Sequence, residues 1–138
     1  MKRTLRFIAL FMSVVILCVI PVSATEIAPM DSTHIDNCYG HIEMSAGYSV
    51  RVVFSIYAIG YMDELGASMI RVQRSTDGIN WEICDTYWAS DHPEMMGSGS
   101  VFESSVTYHG QAGYQYRAFI YFHAKNSSGT RTAMAYAY

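Results

Sequence analysis

Histidines are the side chains in this sequence best suited to acid–base or metal chemistry, but their spacing predicts no site. None lies in an HxxxH or HExxH pattern, so a zinc site would have to be assembled from distant loops. The five positions are His34, His41, His92, His109 and His123. We interpret them as loop and strand residues and predict no metal ligands.

The acidic loop around Asp91 is the next candidate for chemistry. Asp91, His92 and Glu94 lie together there, and carboxylate oxygens with a backbone carbonyl could bind calcium. No EF-hand pattern is present and the oxygen ligands are too few, so a solvated loop is the interpretation. Ser104 and Ser105 fall in a predicted strand, and the chain has no GxSxG nucleophile motif. We therefore predict no catalytic residues, no cofactor and a protein that is not an enzyme.

The start of the chain has the composition of a secretory signal peptide. Three basic residues among the first six precede residues 7–21, which are almost wholly apolar. That length suits a signal helix and is short for a membrane span. Small residues precede a predicted cleavage site after Ala24. The sequence therefore predicts a secreted protein. An uncleaved N-terminal anchor and a lipid anchor at Cys18 are the alternatives, although bulky Leu17 does not fit a lipobox.

Cleavage would leave one small acidic domain. The predicted organisation is a signal peptide at residues 1–24, a flexible leader at 25–37 and a domain at 38–138. Three of the nine Lys and Arg residues, and none of the twelve Asp and Glu residues, lie in 1–24, so the formal net charge would change from −3 to −6. Nucleic acids and anionic lipids bind clustered cations, so neither is a predicted partner. No second apolar stretch of spanning length follows, so the mature form is not expected to be membrane-embedded.

Two cysteines, Cys38 and Cys84, remain after residue 24. An even pair in an exported chain predicts a disulfide, which would close a long loop and stabilise the fold by about 4 kcal/mol. The alternative is two buried thiols, which a reducing habitat would favour. Neither cysteine lies in a CxxC motif, so redox catalysis is not predicted.

From residue 39 onwards, short stretches with alternating apolar residues are separated by turn-forming residues. The clearest is Tyr48–Ile59, where apolar side chains recur at every second position. Gly60–Gly66 and Ala89–Gly99 are predicted loops, and Asp77-Gly78 is a hairpin-turn signal. Seven strands are predicted: Tyr39–Ala46, Tyr48–Ile59, Ser68–Arg74, Trp81–Trp88, Ser100–Tyr108, Tyr114–Ala124 and Thr130–Tyr138. Together they predict an all-β, antiparallel β-sandwich.

Two segments resemble parts of fibronectin type III and immunoglobulin-like domains. RSTDGINWEI at Arg74–Ile83 resembles the turn between their third and fourth strands, and Gly113–Gly129 resembles their sixth strand and following hairpin. The resemblance implies that Tyr114 forms a tyrosine corner, in which the hydroxyl bonds back to the chain. The opening strands lack the family's Pro-rich start with an early Trp, so a jelly roll or another immunoglobulin-like strand order stays open.

The whole mature chain is similar to small secreted proteins of Gram-positive gut bacteria whose activity is not assigned. Their pattern is a Trp after an "IxxQ" strand and then a Gly-x-x-Tyr-x-Tyr-Arg segment near the end. The matching residues are Ile70, Gln73, Trp81, Tyr114, Tyr116 and Arg117. The resemblance implies a bacterial, extracellular β-sandwich and transfers no chemistry.

Surplus aromatic residues are the most suggestive feature for function. By strand alternation, Tyr57, Phe119 and Tyr121 point away from the core, and Trp88 is a further candidate for the same outer face. Trp81 and Trp88 are seven residues apart and should point to opposite faces of a regular strand. An exposed aromatic patch would mark a contact with a partner. The alternative is that these residues only pack across neighbouring strands.

These patterns favour a secreted, non-catalytic binding or assembly module. Its partner would be a protein, a glycan or a second copy of the chain, bound through the outer aromatic face. A small bacteriocin-like antagonist is the alternative, although its acidic charge is unlike that of cationic membrane-directed peptides. A hydrolase with loop-borne residues would require a cleft with perturbed acidic groups.

Overall fold

Six antiparallel strands form the part of the chain that a computed structural model describes, residues 34–138. All six belong to one sheet with the main order β1-β2-β5-β6, and β3 and β4 also pair with β2. A single 3-10 turn, Pro93–Met95, precedes β4. The strands are β1 (Ile35–Ser45), β2 (Ser49–Ser75), β3 (Glu82–Trp88), β4 (Met96–His109), β5 (Gln115–Asn126) and β6 (Gly129–Ala137).

The 27-residue strand β2 organises the whole sheet. Its first half pairs with β1 on one edge and β4 on the other, with Val52 opposite Ile42 and Val106. Its second half pairs with β5 on one edge and β3 on the other, and β6 pairs with β5. The fold therefore consists of a first half-sheet, β1–β2–β4, and a second half-sheet, β3–β2–β5–β6, which share one continuous strand.

The sheet curls so that its ends approach each other. The backbone N–H of Ile42 on β1 donates to the carbonyl oxygen of Tyr138, just after β6, over 3.2 Å. Curling encloses the apolar side chains of one face, and burial of each large side chain is favourable by about 1.5–3 kcal/mol. The largest fully buried apolar side chains are Phe54, Phe122, Ile56, Met62, Leu65, Ile70, Met95, Ile120, Val50, Val52 and Val72.

The sequence predictions of an all-β class and of antiparallel pairing are confirmed. The predicted apolar face of the first half of β2 is also confirmed, because Val50, Val52, Phe54 and Ile56 are all fully buried; Val53 and Ser55 on the opposite face are buried as well. The finer predictions, a β-sandwich and an immunoglobulin-like strand order, stay predictions. The predicted signal peptide lies outside the described residues. Strand β1 begins at Ile35, inside the range predicted as a flexible leader.

The predicted loop at Gly60–Gly66 is wrong, because β2 continues through it. Met62 and Leu65 are fully buried there and are paired with Gly99 and Gly97 of β4. Two of the seven predicted strands are therefore halves of one strand. Irregular pairing around Met62 and Leu65 lets β2 pass from the first half-sheet to the second.

Candidate functional site

The outer surface of the second half-sheet collects aromatic, methionine and arginine side chains. In one row Arg71 lies opposite Phe119, which lies opposite Tyr136. In the next row Trp88, Met69, Tyr121 and Met134 lie side by side on four strands. We call this surface the aromatic face; it comprises Met69, Arg71, Trp81, Trp88, Arg117, Phe119, Tyr121, Met134, Tyr136 and Tyr138.

Ring contacts connect the residues of one side of the aromatic face. The Arg117 guanidinium lies 4.3 Å from the Trp81 ring centroid and 5.3 Å from that of Phe119. The Phe119 and Tyr136 centroids are 4.6 Å apart, and those of Tyr136 and Tyr138 are 6.3 Å apart. Such cation–π and ring–ring contacts hold the side chains in fixed orientations, so the face offers a preformed surface.

Much of this apolar surface is exposed. The exposed fraction is 50% for Trp88, 37% for Tyr136 and 71% for Tyr138. Phe119 and Tyr121 are half-buried by their neighbours. A contiguous group of large apolar side chains at the surface marks a contact site, whereas single exposed residues are ordinary.

The predicted binding residues do not all lie together. Trp88, Phe119 and Tyr121 are on the aromatic face, within two adjacent rows. Tyr57 lies on the first half-sheet instead, where its hydroxyl is 3.2 Å from that of Tyr39. Strand alternation placed Tyr57, Phe119 and Tyr121 outward, with Trp88 as a further candidate, but could not show which half-sheet each residue belongs to.

Trp81 was predicted to point away from the face that carries Trp88, and this is wrong. Strand β3 contains a bulge at Cys84, because Val72 pairs with Asp85 while the next residue, Gln73, pairs with Ile83. One extra residue reverses the alternation. Trp81 therefore contacts Arg117 on the same face as Trp88.

Trp81 is held by the turn that joins β2 to β3. Its indole N–H donates to the Gly78 carbonyl over 3.1 Å. The Asp77 carboxylate accepts hydrogen bonds from the backbone N–H groups of Ile79 and Asn80, both at 2.8 Å, and from Ser75 Oγ at 2.8 Å. Hydrogen bonds from Asn80, Ile79 and Ser75 hold the pKa of the Asp77 carboxyl well below its usual range.

The substitution Asp77→Asn is expected to lower thermal stability at pH 7, by an amount that becomes smaller in acid. Since the pKa of Asp77 is lower in the folded state, its carboxylate stabilises the fold fully above about pH 4 and progressively less below that value. Thermal unfolding midpoints at pH 7 and pH 2 test this. Asp91→Asn, in another exposed loop, is the matched control. The prediction would be contradicted if Asp77→Asn lowered the unfolding midpoint equally at both pH values.

A polar cleft of about 360 Å³ lies beside this turn, next to the aromatic face. Arg74 occupies it, with Nε 2.6 Å from Glu82 Oε1 and its guanidinium 4.6 Å from the Tyr114 ring centroid. The other lining residues are Ser75, Thr76, Asn80 and Trp81. Arg74 is already paired with Glu82, so its charge is compensated within the cleft.

Tyr114 was expected to form a tyrosine corner, and the corresponding hydrogen bonds belong to its neighbour Tyr116. The Tyr116 hydroxyl accepts from the Gln111 backbone N–H over 2.7 Å and donates to the Gln111 carbonyl over 3.3 Å. Tyr114 instead lies against Arg74. Both tyrosines support the end of the second half-sheet.

The expected disulfide between Cys38 and Cys84 is absent, and both residues are free thiols. Cys38 on β1 pairs with the first half of β2, whereas Cys84 lies in the bulge of β3 beside the second half. Both pack against the core from different half-sheets. Burial raises the pKa of each thiol, which disfavours the reactive thiolate.

The acidic and histidine residues form local pairs. His92 Nδ1 and Glu94 Oε1 are 3.0 Å apart in the loop considered for calcium, and Ser104 Oγ donates to the Glu94 carbonyl over 2.7 Å. Lys125, and then His123, hold the pKa of Glu64 below its usual value. Across residues 34–138, no three His, Cys, Asp or Glu side chains come together as metal ligands.

Comparisons with known proteins do not assign the chain to a family. No family model matches the chain, and neither the curated proteins nor the solved structures contain a match. Within the described strands and turns there is no helix of a length and apolarity that would cross a membrane.

Proposed function

We propose that this chain is a secreted, non-catalytic module that binds a partner protein through the aromatic face. The observation that carries the proposal is the grouping of six aromatic residues, two methionines and two arginines on one surface of the second half-sheet. Export is supported by the signal-like composition of residues 1–24.

The composition of the aromatic face favours a protein over a glycan. Aromatic, methionine and arginine residues are enriched in protein–protein interfaces, whereas Lys, Asp and Glu are depleted from them. The aromatic face contains none of these three residue types. Carboxylates and amides are the side chains that best accept hydrogen bonds from glycan hydroxyl groups. The amide beside these rings, Gln73, already accepts from Arg117 Nε.

Trp88 is the expected anchor of the interface. It is half-exposed, lies opposite Met69 on the next strand, and presents a large rigid ring. Truncating a tryptophan that anchors an interface typically costs about 2 kcal/mol or more, which is roughly 30-fold in affinity. Methionines beside it can adjust their shape to a partner.

The substitution Trp88→Ala is therefore expected to weaken peptide binding by about 30-fold or more while the fold is retained. Twelve-residue peptides would be selected from a random displayed library on the immobilised wild-type chain, and their affinities measured for each variant. Tyr61→Ala is the matched control, because Tyr61 is 67% exposed but lies outside the aromatic face.

The proposal fails if the selected peptides bind Trp88→Ala as tightly as the wild type. It also fails if glycans bind with the same dependence on Trp88 while no peptide does. Circular dichroism and thermal unfolding of both variants establish that a loss of binding is not a loss of fold.

A further inference from the structure

Arg71 lies at the centre of the aromatic face without a suitable partner. It is flanked by Thr86 on β3 and Phe119 on β5. Its Nε is buried and has no hydrogen-bond partner among residues 34–138, and its Nη2 reaches only the Met69 sulfur at 3.9 Å. Thioether sulfur is a weak acceptor, and a buried charged donor without an acceptor is costly.

The second arginine of the face also has no carboxylate partner among residues 34–138. Arg117 donates from Nε to Gln73 Oε1 over 2.8 Å and otherwise contacts only rings. Acidic residues are not scarce, since residues 34–138 contain ten Asp and Glu against six Lys and Arg. Elsewhere in this part of the chain, Arg51, Arg74 and Lys125 each have a glutamate partner.

We infer that the partner presents an acidic segment to the aromatic face, and that Arg71 binds one of its carboxylates, with Arg117 binding a second. This inference rests on the proposed function and names the chemistry of the partner. Because Nε is buried, the carboxylate is bound by the two Nη atoms. Their N–H groups donate two parallel hydrogen bonds, which are stronger and more directional than a single charged contact. The surrounding rings exclude water and so strengthen the pair.

A second copy of the chain is a poorer occupant than an acidic partner. A twofold dimer through this face would bring the arginines of both copies together without any carboxylate between them. Like charges opposed in an interface disfavour association. An extended acidic segment with apolar residues between its carboxylates is complementary to the face, because its carboxylates would bind the arginines and its apolar residues would pack on the rings and methionines.

Tryptophan fluorescence is a direct readout, because the chain contains only two tryptophans and both are on the aromatic face. The probe is a twelve-residue peptide with six glutamates alternating with apolar residues, and its control has glutamine at all six positions. We expect the glutamate peptide to bind at least tenfold more tightly than the control, and less tightly as salt concentration rises.

The substitution Arg71→Gln is expected to weaken binding of the glutamate peptide at least tenfold, and Arg71→Lys to restore only part of the loss. Arg131→Gln is the matched control and should change binding less than twofold, because Arg131 is exposed and its guanidinium bonds only the Thr130 carbonyl. Circular dichroism of each variant verifies the fold.

Equal binding of the glutamate and glutamine peptides, or unchanged binding by Arg71→Gln, would overturn the inference. So would tighter, Arg71-dependent binding of polygalacturonate, which would indicate an acidic glycan, or Arg71-dependent self-association in sedimentation. If library peptides depend on Trp88 but show neither acidic enrichment nor dependence on Arg71, this inference fails while the proposed function stands.

Discussion

Replacing Phe54 with alanine is expected to lower the free energy of unfolding by about 3–5 kcal/mol. Phe54 is fully buried, and its ring contacts Phe102 on β4 and Phe122 on β5 at centroid distances of 6.4 and 6.1 Å. These contacts join the two half-sheets across the core. Truncation removes apolar burial and leaves a cavity between them, because β2 cannot move inward without breaking its pairs. Urea denaturation followed by tryptophan fluorescence measures the change.

Two controls separate the cavity from a general effect of substitution. Phe54→Leu retains more of the volume, so its loss should be clearly smaller than that of Phe54→Ala. Val101→Ala removes an exposed side chain from neighbouring β4 and should change stability by less than about 0.5 kcal/mol. A loss below about 1 kcal/mol for Phe54→Ala would mean that the two half-sheets are not held together through this ring.

Phe54 also shows which part of the fold can be predicted from sequence. Apolar residues at alternate positions between Tyr48 and Ile59 bury one side of β2, and the period of a strand makes that pattern readable without a structure. The same period holds on β5, where Tyr116, Ala118 and Ile120 are buried. Local periodicity is sufficient wherever a strand is regular and one of its faces is buried.

The candidate site was less predictable because it depends on strand pairing and on an irregularity. Tyr57 and Tyr121 both point outward, yet the first lies beside β1 and the second beside β6. Pairing partners are set by contacts distant in sequence, which alternation does not encode. Trp81 lies on the same face as Trp88 only because of the bulge at Cys84. No residue pattern around Cys84 predicts the extra residue of the bulge.

The loop prediction for Gly60–Gly66 was wrong for a related reason. Two glycines that enclose Asp63 and Glu64 are typical of a loop, and the sequence therefore predicts one. Met62 and Leu65 are nevertheless fully buried, and the cost of exposing them exceeds the weak preference of their neighbours for a turn. The glycine at position 66 instead allows β2 to approach the backbone of Met95 and Met96 closely.

The substitution Gly66→Ala is expected to destabilise the protein by about 3–5 kcal/mol. Gly66 has a φ of +158°, which side chains rarely adopt. A Cβ at this position would overlap the carbonyl oxygen of Met95 and lie 2.9 Å from Met96 Cα. Both neighbours are backbone atoms, and Met96 is paired with Gly66 itself, so they cannot rotate away as the end of a side chain would. The unfolding free energy in urea tests the prediction.

Gly60→Ala distinguishes the clash from the backbone conformation. Gly60 also has a positive φ, +85°, but no atom lies within 4 Å of an added Cβ. It should therefore lose only about 1–2 kcal/mol, the cost of the left-handed conformation alone. Equal losses for the two variants would mean that the loop does not press on β2 at Gly66. A larger loss for Gly66→Ala would show that this close approach holds in place the strand that carries Met69 and Arg71, and hence the centre of the aromatic face.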